Sequence, residues 1–161
     1  MKYEWSNEMR SSLKSSSILP IATSVFCIST KYSFKQVSIV FLIFISGASL
    51  GITITDDVFN RGVGHWPGTA KPGARGNLVL GGHRTSAKRE FADIDRLRGG
   101  DIISISVGAK THRYVVTGHM IVKPTSVWIT EQTRSATLTL FSCHPKGKIT
   151  SRYVVRAVLQ T

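Results

Sequence analysis

Thiols are scarce in this chain: of 161 residues only Cys27 and Cys143 are cysteines, and neither shares a metal-type spacing with the five histidines. That excludes a Cys/His zinc module and a disulfide-stapled scaffold. It leaves Cys143 as either an apolar filler or a reactive thiol, to be decided by its surroundings. Acidic residues are also few, with 9 Asp and Glu against 21 Lys and Arg and a formal charge of +12. Asp93, Asp95 and Asp101 are too scattered to suggest an oxygen-rich calcium site, so no metal or other cofactor is expected. The charge imbalance points to anionic surroundings, whether nucleic acid, a membrane surface or a cell envelope, and says nothing of fold. There is no internal repeat and no low-complexity tract. With 42% hydrophobic and 19% charged residues, the chain can bury one core, and whole-chain disorder is excluded.

The basic excess is uneven. Residues 1–60 hold five basic and four acidic side chains, whereas residues 61–161 hold sixteen and five. The first part carries serine clusters, an apolar patch from Ile18 to Ile28 interrupted by Pro20, and a stronger run, VSIVFLIFISGASLGITIT, from Val37 to Thr55. Those nineteen uncharged residues could cross a hydrocarbon core as a helix. A transmembrane helix over 37–55 is therefore expected, after a tail over 1–36 and before a globular domain over 56–161. Lys31 and Lys35 before the run and Asp56 and Asp57 after it place the N-terminus in the cytoplasm and the domain outside. The competing arrangement is a pair of buried strands, because the run is rich in Ile, Val and Thr and broken near Ser46, Gly47 and Ser49. A cleaved signal peptide fits less well, since the run starts far from Met1 with no small-residue cleavage site after it.

Beyond Asp57 the glycine- and proline-rich stretch 61–77 reads as a structured loop, and NLVLGG (77–82) as a strand that delivers His83 to its end. Phe91, Ile94 and Leu97 recur at threes ahead of Gly99 and Gly100, which suggests one short amphipathic helix. IISISV (102–107) and HRYVVTGHMIV (112–122) flank a turn as a hairpin would, VWIT follows from Val127, and TLTLFSC and RYVVRAVL give two further strands. The pattern predicts a mainly β domain, an antiparallel barrel or sandwich with one or two short helices.

Alternation along residues 137–143 puts Thr137, Thr139, Phe141 and Cys143 on one face. If this strand pairs with the one opened by Arg152, Cys143 and Arg152 flank the same end of a hairpin. A neighbouring cation favours thiolate, and a guanidinium there could stabilise the oxyanion formed when the thiolate attacks a carbonyl. Acyl transfer by cysteine also needs an acid for the leaving amine, usually histidine. His144 should point to the opposite face from Cys143, as a solvated loop residue. His112 and His119 fit a surface or core-edge role, and His65 could line a cleft. His83, at a strand end after two glycines, is the best candidate.

TLFSC (139–143), Arg152 nine residues after Cys143, and GHWPGTAKPGARGNLVLGGHRT (64–85) together resemble the motifs of the sortases, membrane-anchored cysteine transpeptidases of Gram-positive cell surfaces, nearest in detail to class E. The resemblance covers roughly residues 55–160 and implies a closed antiparallel β-barrel after a membrane segment. It implies Cys143 as nucleophile, His83 as general acid/base and Arg152 as the group that positions substrate and stabilises the oxyanion. Ser142, Thr139 and His65 are then expected at the substrate site. The implied substrates are surface proteins with a Leu-Pro-x-Thr-Gly or Leu-Ala-x-Thr-Gly sorting signal, cut between Thr and Gly, and the acceptor is an amine of a cell-wall precursor or a pilin lysine. The implied location is the membrane, single-pass, with the domain on the extracellular face and no nucleic-acid partner. Two departures stand out: Ser142 replaces the family's threonine, and a membrane span over 37–55 leaves no room for the two strands that sortase barrels carry upstream. The rivals are a degenerate sortase that binds sorting signals without turnover, and a basic module for envelope polymer or nucleic acid.

Overall fold

The computed structural model describes residues 62–85 and 89–161, together with two strands between residues 25 and 43. Eight strands form one sheet: β1 (Val25–Ser33), β2 (Gln36–Ile43), β3 (Gly64–His65), β4 (Gly76–Gly81), β5 (Ile102–Val107), β6 (Lys110–Val122), β7 (Ala136–His144) and β8 (Ser151–Leu159). Their spatial order is β1-β2-β5-β6-β8-β7-β4-β3, and the sheet curls so that its end strands, β1 and β3, come near each other.

Two expectations change here. The sheet is mixed rather than antiparallel throughout, because β2–β5 and β4–β7 are parallel pairs. Parallel neighbours need long crossover connections, and the segments between β2 and β5 and between β4 and β7 supply them. The transmembrane helix expected over 37–55 is not what its first part forms. Gln36–Ile43 is a strand, paired parallel with β5 and antiparallel with β1, which precedes the run rather than lying within it as the competing arrangement has it. A short apolar run can form a sheet strand or part of a membrane helix, and hydropathy alone does not distinguish the two. The rest of that segment, residues 44–55, lies outside the described residues, as does most of the tail over 1–36. Among the described residues no helix is long and apolar enough to cross a membrane.

Alternation divides β4, β7 and β8 between two apolar clusters. Leu78, Leu80, Leu138, Leu140, Tyr153, Val155 and Ala157 face the larger core with Ile103, Ile105, Tyr114 and Val116. Val79, Phe141 and Val154 face the other way, toward Trp66 and Ile129. Full burial of each such Leu, Ile or Phe contributes about 1.5–3 kcal/mol. The expected helix is only a 3-10 turn, Ile94–Arg96, and VWIT is another, Val127–Thr130, rather than a strand. The spacing of Phe91, Ile94 and Leu97 is the three-residue repeat of a 3-10 helix, and all three are buried in the larger core.

Asn77 ties the start of β4 to the second of these turns. Its buried Nδ2 donates to the carbonyls of Ile129 (2.9 Å) and Glu131 (3.0 Å), and its Oδ1 accepts from Thr139 Oγ1 at 2.7 Å. Asn77→Ala strands these buried partners and is expected to cost about 3 kcal/mol in urea unfolding. A loss below about 1 kcal/mol would mean that water replaces the bonds.

Candidate active site

β4, β7 and β8 are neighbours in the sheet, and their ends place three polar residues side by side. In the antiparallel β7–β8 pair Cys143 lies directly opposite Arg152, on the face that carries Phe141 and Val154. In the parallel β4–β7 pair Gly81 lies opposite Phe141. Past the end of that ladder, Gly82 N–H donates to the Phe141 carbonyl at 3.2 Å and Ser142 Oγ donates to the Gly82 carbonyl. Extending that parallel register by two residues past the end of the ladder would put His83 level with Cys143. Neighbouring strands lie about 4.8 Å apart, so Arg152 stands within reach of the thiol on one side, and the extended register would bring His83 to the other.

Local packing explains why the sequence turns here as it does. A Cβ at Gly82 would stand 2.9 Å from Phe91 Cδ2, so only glycine lets the chain pass over that ring. The Phe91 N–H then donates to the His83 carbonyl at 2.9 Å and fixes the backbone of that residue. His83 and Cys143 are both half-buried, and Cys143 carries no disulfide. Arg152 is 5% exposed, and its Nη1 donates to the carbonyls of Ile149 (2.9 Å) and Ser151 (3.0 Å), which holds the guanidinium against the β7–β8 loop. Burial pushes the Arg152 pKa down, and the charge interaction with Cys143 opposes that shift. A guanidinium stays protonated in either case.

The residues expected at the substrate site have other employment. Thr139 is fully buried with its hydroxyl on Asn77, and Ser142 is 1% exposed with its hydroxyl on the Gly82 carbonyl, so neither offers a surface to a peptide. The mild Ser-for-Thr departure thus falls on a residue that joins β7 to the end of β4. His65 Nε2 lies 3.1 Å from the Ala70 carbonyl and 2.9 Å from Thr69 Oγ1, and so ties down the Gly-Pro loop. The Thr69 hydroxyl proton is committed to the Trp66 carbonyl at 2.7 Å, which assigns the imidazole proton to Nε2. His144 does lie on the face opposite Cys143, yet it is half-buried and held by Arg84 rather than free in solvent.

Burial lowers the His65 pKa below its ordinary value of 6.5, against the raising effect of the Ala70 and Thr69 bonds. The fold therefore favours neutral His65. Its contribution to stability is complete above the ordinary value and is lost as pH falls from there toward the folded-state value. Between about pH 7 and pH 5, the Tm of the wild type is expected to fall more steeply than that of His65→Gln. Parallel curves would mean that His65 does not sense pH in the fold.

A family model of the sortase domain matches residues 38–160. The chain belongs to the sortase family. The match begins inside β2, in agreement with a strand there. Among solved structures, the sortase D5 transpeptidase of Clostridium perfringens is 29% identical with a TM-score of 0.60, over 78% of this chain and 71% of that one. Sortase E of Streptomyces avermitilis is 27% identical with a TM-score of 0.60, over 78% of each chain. Sortase C-1 of Actinomyces oris is 26% identical with a TM-score of 0.60, over 66% of this chain and 63% of that one. The present sortase thus spans less than two thirds of the length of some of its structural relatives. Comparison with curated proteins gave no significant match.

Proposed function

We propose that this sortase is a cysteine transpeptidase that cuts a C-terminal sorting signal between Thr and Gly. The Cys143 thiolate, favoured by the Arg152 charge, attacks the Thr carbonyl carbon, and the oxyanion that forms is stabilised by the Arg152 guanidinium. The intermediate collapses to a thioester as His83 gives a proton to the departing glycine amine. An amine of a cell-wall precursor peptide or a pilin lysine then enters, His83 takes up its proton, and an amide replaces the thioester. Water in place of the amine gives hydrolysis. The observation that carries this reading is the position of Cys143, opposite Arg152 in the β7–β8 register and on the strand next to β4, whose end leads to His83.

The proposed place of action is the extracellular face of the cell membrane, where an excess of positive charge suits an anionic envelope. Because Gln36–Ile43 is a strand of the sheet, the proposed anchor lies outside that stretch. Binding of sorting signals without turnover draws its support from a missing pair of upstream strands, whereas two strands, β1 and β2, precede β3 in this sheet.

The test is transpeptidation by the full chain in detergent, with a panel of Leu-Pro-x-Thr-Gly and Leu-Ala-x-Thr-Gly peptides and glycine or lysine-type amines. Mass spectrometry follows the acyl-enzyme. An acyl adduct on Cys143, an amine-dependent product, and loss of both in Cys143→Ala are expected. No adduct from any peptide would refute turnover of sorting signals and leave binding alone.

A further inference from the structure

His83, Cys143 and Arg152 are followed in sequence by Arg84, His144 and Tyr153, and these three meet on the opposite face of the same strand ends. Arg84, its side chain 1% exposed, makes a 2.6 Å ion pair from Nη2 to Asp95 Oδ2 and places Nη1 3.2 Å from His144 Nδ1. The His144 ring lies 5.6 Å from the ring of Tyr153, and His119 stacks on Tyr153 at 5.5 Å with 12° between the planes. Tyr153 belongs to the main core. Burying a guanidinium is costly unless it is paired, so a buried arginine shared between a carboxylate and an imidazole is not an ordinary surface cation. Since Nη1–H can only donate, His144 must offer a lone pair at Nδ1 and keep its proton on Nε2.

The location of this contact gives it meaning. The β4–β7 ladder ends at Gly81 and Phe141, and beyond it the two chains are joined by the backbone bond at Gly82 and the Ser142 hydroxyl. His83 follows two glycines, which restrict the backbone little. The Arg84–His144 bond is the next tie along, and it joins the residue after His83 to the residue after Cys143. Asp95 fixes the far side of the guanidinium, and the Tyr153 ring backs the imidazole.

We propose that Arg84 and His144 are positioning residues: a clamp on the back of the sheet that holds His83 and Cys143 at the separation proton transfer requires. The clamp rests on the reading of His83 and Cys143 as the acid and nucleophile. Neither residue touches substrate. Their effect is on alignment, where a displacement of about 1 Å can cost about a hundredfold in rate.

Four proteins test it: wild type, His144→Ala, His144→Asn and Arg84→Lys. Asparagine can present Oδ1 where Nδ1 stood. Lysine can keep the Asp95 ion pair but cannot span both partners. The readouts are kcat and KM for the best peptide of the panel, the pH profile of Cys143 alkylation by iodoacetamide, and Tm. A fall in kcat of about tenfold or more in His144→Ala and Arg84→Lys is expected. KM should stay unchanged, the alkylation midpoint should move toward that of an ordinary thiol, and His144→Asn should stay near wild type in every readout. Rates within twofold of wild type in His144→Ala and Arg84→Lys would overturn the clamp, as would equal losses in His144→Asn and His144→Ala. If wild type acylates with no peptide, the transpeptidase reading fails, and the alkylation profiles then decide on the clamp by the same pattern.

Discussion

His83→Ala is expected to lower acyl-enzyme formation by about a hundredfold to ten-thousandfold, while Cys143 remains open to alkylation. His83 is half-buried and follows the end of β4, the strand next to the one that carries Cys143. His144, the nearest in sequence, is turned away and bonded to Arg84. Expelling an amine without a proton donor is the step that fails, so ester analogues of the sorting peptide, whose leaving group needs less help, should recover part of the lost rate. Equal losses with amide and ester substrates would remove His83 from the role of acid.

Arg152→Ala is expected to lower kcat/KM by about a hundredfold to a thousandfold, the usual cost of removing one oxyanion donor. Arg152→Lys should recover little of it, because a lysine lacks the planar fork that reaches a substrate oxygen while Nη1 bonds the Ile149 and Ser151 carbonyls. Slower alkylation of Cys143 near neutral pH should accompany the change, since the cation opposite the thiol is gone. The measurement is single-turnover acylation beside Tm, because Arg152 is buried and its removal also loosens the β7–β8 loop. Acylation within tenfold of wild type at an unchanged Tm would show that the oxyanion is stabilised elsewhere.

Much of this site could be read from the order of residues. Alternation along 137–143 and a six-residue loop put Cys143 and Arg152 on one face at one hairpin end, since both are local properties of paired strands. His83 was harder: its strand was legible, but its parallel neighbour is sixty residues away, and motif resemblance had to stand in for that contact. The bonds of Thr139 and Ser142 are not legible in the sequence, because a hydroxyl on the thiol-bearing strand looks available until its buried partner is known. The Val37–Thr55 run misled for a different reason. Hydropathy records apolar length, while the neighbours that make part of it a strand, β1 and β5, are set by tertiary pairing. Arg84 stands in the sequence only as a letter of the 64–85 motif and His144 only as a residue turned away from Cys143, because a contact between strand ends is not encoded in either strand alone.

The two halves of the site also differ in how far the chain must travel to build them. Closing the short β7–β8 loop brings Cys143 to Arg152, whereas His83 arrives only when β4 docks in parallel across sixty residues, a slower and entropically dearer event. A chain that has formed the hairpin alone already holds a thiol beside a cation, able to meet an electrophile but without the acid that releases an amine. Alkylation of Cys143 as such therefore shows only that the thiol is accessible, whereas transpeptidation reports that the sheet around it is complete.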